Sequence, residues 1–346
     1  MVIGDRVIGS GAPCFVIAEA GVNHNGDLDL AQQLVDAAAD AGADAVKFQT
    51  FRAAGVVAED APSAAYQRVG DDRDTAQYDL LRRLELDEDA HVALLEHAGR
   101  RGIVFCSTPF DLPSVDLLER LGVPFFKIAS GDLTYTQLLR CVAAKHRPIV
   151  LSTGMADIDE VAAAVDTLTA AGAPDVALLH CVSEYPAPIE DANLRAIPAM
   201  AERFGLPVGL SDHTPGVTVA IAAVAVGAAI IEKHFTLDRA LPGPDHRASL
   251  EPSDFAQLVR EIREVEGAMG TGKKQAAPSE LANRDIVRRS VFAAVEVGEG
   301  APITHEMLEC KRPGDGIPAS DIDRVVGRRA RRSIKVGEKL TWESLA

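Results

Sequence analysis

Short apolar runs bounded by turn residues recur along the first three-quarters of the chain, and nearly every one ends in polar residues. The runs are Phe15–Ala20, Ala45–Gln49, Ile103–Ser107, Phe125–Ala129, Ile149–Ser152, Val176–Cys181, Val208–Ser211 and Ile230–Phe235. Their length and their turn-residue boundaries predict strands. Between most of them, apolar residues repeat at intervals of three and four, as in Leu28–Ala41 and Asp157–Ala171, which predicts helices. The starts recur at the spacing of one βα unit. One longer interval, between the second and third strands, holds the polar stretch Ala58–Asp79. The segment Val217–Ile231 is mostly alanine and contains Gly227, so it predicts a buried helix running into the eighth strand.

Eight βα units imply an α/β chain folded as a TIM (β/α)8 barrel. An open doubly wound sheet shares the alternation, but its Gly-x-Gly-x-x-Gly turn does not follow the first strand here. The polar residues favour the barrel more strongly. The strand ends carry Glu19, Lys47 with Gln49, Ser107 with Thr108, Lys127 with Ser130, Ser152, Ser183, Ser211 with His213, and Glu232 with His234. Catalytic groups of this fold stand on that rim, and charges inside apolar strands are costly unless used or paired. Further on, Gly267–Ser279 is rich in Gly, Pro and Lys without an apolar period. It marks a boundary: a barrel domain over 1–270, a linker over 271–285 and a small β-rich domain over 286–346, with β-like runs at Ser290–Val297 and Ser333–Lys335.

Composition narrows the class. The 346 residues carry a net charge of −16, which argues against a nucleic-acid surface or an anionic membrane as partner. The excess is uneven, since residues 286–346 hold 11 Lys/Arg against 9 Asp/Glu. No apolar run approaches the length of a membrane span, and the N-terminus lacks a basic patch followed by an apolar stretch, so a soluble, cytoplasmic protein is expected. Cys14, Cys106, Cys141, Cys181 and Cys310 are odd in number and scattered, against a disulfide framework or a structural zinc site.

Three constellations carry chemistry. Glu19-Ala-Gly-Val-Asn-His-Asn-Gly closes the first strand and puts a carboxylate at the barrel mouth. Lys47 and Lys127, with Thr108, Ser130, Ser152 and Ser211 around them, make an anion cradle of charge-assisted donors. A Schiff-base lysine of an aldolase, or a plain salt bridge to Glu19 or Asp132, would use the same lysines. His213 and His234 end neighbouring strands, so both imidazoles reach one divalent cation.

Taken together, the motifs resemble the sialic acid synthase family over nearly the whole chain. Its markers are Glu19-Ala-Gly-Val-Asn-His-Asn-Gly, Val46-Lys-Phe-Gln-Thr-Phe, Lys127-Ile-Ala-Ser-Gly, Leu151-Ser-Thr-Gly-Met, His180-Cys-Val-Ser-Glu-Tyr-Pro, Ser211-Asp-His-Thr, Glu232-Lys-His-Phe-Thr and Gly243-Pro-Asp-His. In the tail, Lys311-Arg-Pro-Gly-Asp-Gly resembles that family's antifreeze-like (SAF, β-clip) domain. The resemblance implies condensation of phosphoenolpyruvate with N-acetylmannosamine to N-acetylneuraminic acid and phosphate. Related acceptors are 2,4-diacetamido-2,4,6-trideoxymannose and a phosphorylated sugar. By resemblance, His213 and His234 hold Mn2+, or Mg2+ or Co2+ in its place. Lys47, Thr108, Lys127, Ser130, Ser152, Ser183 and Ser211 bind phosphoenolpyruvate; Gln49, Tyr185 and Asp245 bind the sugar; Glu19 and Asp132 move protons. Asp132 and Ser183 depart from relatives that carry Glu and Asn there. A domain-swapped homodimer is also implied, in which Arg312 of one chain caps the sugar site of the other. A binding module without catalysis would have no use for two lysines, two histidines and a glutamate on one rim.

Overall fold

Period-two alternation explains how one chain builds both a dry barrel and a polar mouth. Phe15, Ile17 and Glu19 share one face of the first strand, and Ile230, Glu232 and His234 share one face of the eighth. On each, the lower residues are hydrocarbon and the uppermost are polar. The lower layer packs as one cluster of Phe15, Ile17, Ala45, Cys106, Val150, Ala177, Leu179 and Ile230. The opposite faces, including Val16, Ala18, Val46, Phe105, Leu151 and Leu178, belong to a larger cluster shared with the surrounding helices. Tight packing inside the barrel shows at Gly209, where a Cβ would collide with the Ile230 carbonyl.

The computed structural model describes residues 1–61 and 77–346. Its eight parallel strands are Phe15–Gly21, Ala45–Thr50, Val104–Pro109, Phe126–Ile128, Ile149–Ser152, Val176–Cys181, Val208–Asp212 and Ile230–His234. They lie side by side in chain order, and the eighth pairs back with the first through Ile230↔Phe15 to His234↔Glu19. The third and fourth strands are neighbours without a ladder between them, and the 3-residue fourth strand pairs along its whole length with the fifth. The predicted strands thus all form, two with unchanged ends and the others with ends moved by one or two residues. Helices follow likewise, with Leu28–Asp40 capped by Asp27 and Ile158–Ala170 opened by an Asp157–Glu160 capping box. Thr218–Ala225 is the alanine-rich helix before the eighth strand. Much of the polar stretch Ala58–Asp79 lies outside the described residues; its end begins a helix over Gln77–Arg83.

One element was not legible in the sequence. A small antiparallel pair, Val2–Ile3 with Arg6–Val7, places Ile3 and Ile8 in the barrel's lower cluster. The two side chains are fully buried and plug the end of the barrel away from the polar rim.

By contact density the chain divides into two units, Met1–Gly270 and Thr271–Ala346. The second contains a helix, Pro278–Val287, which begins inside the predicted linker 271–285 and runs past its end. Pro278 at its first turn suits helix entry, where the missing N–H costs nothing. Beyond it, Ser290–Ala293 pairs antiparallel with Leu308–Lys311 over a core of Val291, Val297, Ile303, Ile317, Ile334 and Leu340. The predicted β-like run Ser333–Lys335 contributes only an isolated bridge, Val297↔Ile334.

Candidate active site

The rim residues converge on one cavity of about 420 Å³ at the C-terminal ends of the strands. Its lining brings together Glu19, Lys47, Gln49, Thr108, Lys127, Ser130, Ser152, Ser183, Tyr185, Ser211, His213, His234 and Asp245, thirteen residues singled out in the sequence. Asp132 is not among the lining residues, although Ser130 and Gly131 beside it are. It sits in a short 3-10 turn with Oδ2 buried and unpartnered, and burial pushes its carboxyl up to about 6 against the pull of Lys127. Arg312 is exposed and belongs to the second unit.

The floor is an alternating set of buried charges. Lys47 Nζ stands 2.7 Å from Glu19 Oε2 and 3.8 Å from Glu232 Oε2, and donates to Thr108 Oγ1 at 3.2 Å. Lys127 Nζ donates to Ser152 Oγ at 2.7 Å and lies 3.7 Å from Glu232 Oε1, which also accepts from Ser211 Oγ at 3.0 Å. Gln49 Nε2 donates to the other Glu19 oxygen at 3.2 Å. The salt bridge from Lys47 to Glu19 foreseen as an alternative therefore exists, but it lies in the cavity rather than away from it. Opposite, the Gly154 N–H donates to Ser130 Oγ at 2.9 Å, and a Cβ at Gly154 would collide with the hydroxyls of Ser183 and Ser130. The glycine of Leu151-Ser-Thr-Gly-Met is what lets those hydroxyls close up on the backbone.

Glu232 is the floor residue to which sequence reasoning gave no role. Its spacing of two from His234 on one strand was the available signal, since both must face the interior. It bridges both lysines, and one of its oxygens has no hydrogen-bond partner. Burial opposes its charge, yet the two ammonium groups hold its carboxyl below the ordinary range. Burial also pushes Glu19 up to about 7, with Glu232 adding to the shift and Lys47 pulling against it. Lys47 itself is disfavoured by burial, but the two carboxylates more than offset that and keep it protonated. Lys127 is lowered by burial despite Glu232, with Lys47 adding repulsion. Lys233, between the two site residues, faces the other way and pairs with Asp212 at 2.6 Å, a structural pair behind the rim.

The imidazoles of His213 and His234 lie with ring centres 5.2 Å apart, and the Tyr185 ring is 4.1 Å from that of His213. His213 Nδ1 donates to the Val182 carbonyl at 2.7 Å, so in the neutral ring the lone pair is on Nε2; burial disfavours the charged ring, but Cys181 and that carbonyl raise its pKa above the ordinary value. His234 Nδ1 is buried without a hydrogen bond, 3.6 Å from Asp245 Oδ2, and burial with nearby cations keeps this ring neutral. Among the described residues no group of three or more His, Cys, Asp or Glu side chains forms a closed metal cage. What the rim offers is an open pair of imidazoles, which fits a divalent ion whose remaining positions are taken by water or substrate.

Behind the rim, Asn23 Nδ2 donates to the Phe235 carbonyl and to Ser249 Oγ, both at 2.9 Å, and Ser249 Oγ donates to the Asp245 carbonyl at 2.7 Å. Asn23, of the run that closes the first strand, is thus part of the frame that holds the Asp245 segment. Among the described residues, no helix is long and apolar enough to cross a membrane, and all five cysteines are free.

Known proteins resemble the chain along nearly its whole length. The NeuB family matches residues 34–274, and the SAF domain matches 288–346. The N,N'-diacetyllegionaminic acid synthase of Legionella pneumophila is 46% identical, covering 99% of this chain and 97% of its own. The protein of that name from Campylobacter jejuni is also 46% identical, over 93% of this chain and 97% of its own. Among solved structures, the N-acetylneuraminic acid synthetase of Leptospira borgpetersenii is 38% identical with a TM-score of 0.73, covering 82% of this chain and 94% of its own. From its catalytic rim to its C-terminal domain, the chain belongs to the NeuB family, with a SAF domain at its C-terminus.

Proposed function

We propose that the chain condenses phosphoenolpyruvate with open-chain 2,4-diacetamido-2,4,6-trideoxymannose, giving N,N'-diacetyllegionaminic acid and phosphate. Family membership makes it an enzyme of phosphoenolpyruvate-dependent condensation with a sugar. The acceptor is the finer step, and one observation carries it: 46% identity along essentially the whole chain to synthases of that product. N-acetylmannosamine, the first choice in the sequence, gives way to this second choice, because the sialic acid synthetase compared above is less similar at 38%.

The residues support the chemistry as follows. The carboxylate and phosphate of phosphoenolpyruvate are received by Lys47 and Lys127, with Thr108, Ser130, Ser152, Ser183 and Ser211 as neutral donors. The enol carbon attacks the sugar aldehyde, water adds to the cationic carbon, and phosphate departs with the former enol oxygen. Glu19, which titrates near neutrality inside the cavity, takes the proton of the attacking water. Asp132 is worse placed for that role, being off the cavity wall. Glu19 and Glu232 stabilise the developing cation electrostatically, and Gln49, Tyr185 and Asp245 orient the sugar. His213 and His234 would hold Mn2+ or a similar ion, which when bound supplies Lewis-acid polarisation of the aldehyde. In a domain-swapped homodimer, Arg312 would reach the sugar from the partner chain.

Assay of phosphate release with 2,4-diacetamido-2,4,6-trideoxymannose, N-acetylmannosamine and its 6-phosphate tests the acceptor. The highest kcat/KM belongs to the first; a higher value for either of the others would overturn the choice. A Schiff-base mechanism retains one observation, the burial that lowers Lys127. Borohydride with substrate would trap an adduct on Lys127 in that case and none otherwise.

A further inference from the structure

Hydrocarbon lines one side of the cavity. Val22 follows the first strand, Phe51 the second and Phe110 the third, while Leu80 and Leu81 belong to the helix Gln77–Arg83 and Leu84 comes directly after it. These six form one apolar cluster of their own, separate from the barrel core, with Phe51 and Phe110 edge to face at 6.1 Å. The charged groups of the same cavity lie on its other surfaces, with lysines and glutamates on the floor and the imidazoles with Asp245 toward the seventh and eighth strands; Gln77, at the start of the helix that carries Leu80 and Leu81, is a polar lining residue on the apolar side. Among the described lining residues the only lysines or arginines are Lys47 and Lys127.

We propose that this wall is the specificity determinant for the far end of the acceptor sugar, receiving a methyl group at C6 and disfavouring a hydroxymethyl or phosphomethyl group there. The assignment rests on the acceptor named above. Phosphoenolpyruvate is the most highly charged reactant and takes the two lysines; the aldehyde end of the sugar takes the imidazole pair. The opposite end then faces the surface that remains, and that surface has no charged side chain among its six members. A methyl group buries apolar area there. A hydroxyl would lose its water against leucine and phenylalanine, and a phosphate dianion would lose far more. A hydrophobic pocket discriminates against an added hydroxyl by about 10–100-fold.

The test uses acceptors that differ only at C6: N-acetyl-6-deoxymannosamine, N-acetylmannosamine and N-acetylmannosamine 6-phosphate. The wild-type enzyme is expected to prefer the 6-deoxy sugar over the 6-hydroxyl sugar by about 10–100-fold in kcat/KM, with the phosphate lowest. In Leu81→Gln and Phe110→Gln that ratio falls to within about threefold of unity while KM for phosphoenolpyruvate is unchanged, and Leu81→Ile keeps the wild-type ratio. A wild-type ratio near one, or a preference for the phosphate, overturns the proposal whether or not the variants fold. A ratio left intact in both folded Gln variants overturns it as well. None of the three sugars carries the 4-acetamido group. Poor use of 2,4-diacetamido-2,4,6-trideoxymannose would therefore count against the acceptor choice alone, and a C6 methyl preference would stand without it.

Discussion

Glu19→Gln separates the electrostatics of the floor from its shape. Glu19 is 2% exposed, and burial raises its carboxyl from an ordinary 4.5 to about 7 even beside Lys47. A group with a raised folded-state value holds its proton more tightly folded than unfolded. Its contribution is fully present below about pH 4.5 and is lost as pH rises through about 7. The gap corresponds to about 3 kcal/mol, so wild type should lose that much between acid and pH 9 from this residue alone. Glutamine fills the same space and does not titrate. Lys47 stays charged across this window because Glu232 remains 3.8 Å away. Unfolding free energies of wild type and Glu19→Gln, measured by denaturant at pH 5, 7 and 9, should therefore diverge in favour of the variant by about 2–3 kcal/mol as pH rises. In activity the opposite sign appears: wild-type kcat/KM gains an acidic limb near pH 7, and the variant keeps phosphoenolpyruvate binding but loses about 10²–10⁴-fold in turnover. A pH-independent stability difference would refute the reasoning, since it would mean that Lys47 holds Glu19 ionised throughout. So would turnover within a few-fold of wild type.

Further outcomes are expected. Exhaustive chelation should abolish turnover and Mn2+ should restore it, with full activity after EDTA counting against the imidazole pair as a metal site. Asp212→Ala should destabilise the first unit by about 3–5 kcal/mol, because it strands Lys233 in a buried site; a thermal midpoint equal to wild type would show the pair to be dispensable. Mixing Glu19→Gln with Arg312→Ala should regain activity if Arg312 acts from the partner chain, because one site in each heterodimer then has both groups. No recovery in heterodimers confirmed by mass would exclude that role.

How much was legible in the chain differs from element to element. Phe15, Ile17 and Glu19 advertise their strand because hydrocarbon and charge fall on one face in period two, and the same holds for Ile230, Glu232 and His234. Lysines within apolar runs gave Lys47 and Lys127 away, since such charges survive only where they are paired or used. The hairpin around Gly4 escaped because two-residue strands have no period to detect. The helix Pro278–Val287 escaped because it has no buried face: it follows a Gly- and Lys-rich stretch, and none of its residues is buried. Asp132 was legible in another way. Its proposed role came from the family resemblance and not from the apolar pattern, and the 3-10 turn after the fourth strand sets it beside the cavity lining formed by Ser130 and Gly131. The apolar wall was invisible for a third reason, namely that its members come from three strand ends and a helix, which only the fold brings together.

In the proposed reaction, carbon–carbon bond formation at phosphoenolpyruvate proceeds with loss of the enol oxygen to phosphate. Phosphoenolpyruvate carrying ¹⁸O in the bridge between carbon and phosphorus, incubated with the diacetamido sugar and the enzyme, tests it in one spectrum. Inorganic phosphate retaining the ¹⁸O, with none in the sugar acid, is the result predicted by water addition to the cationic carbon. Unlabelled phosphate, with the label kept at C2 of the product, would contradict it.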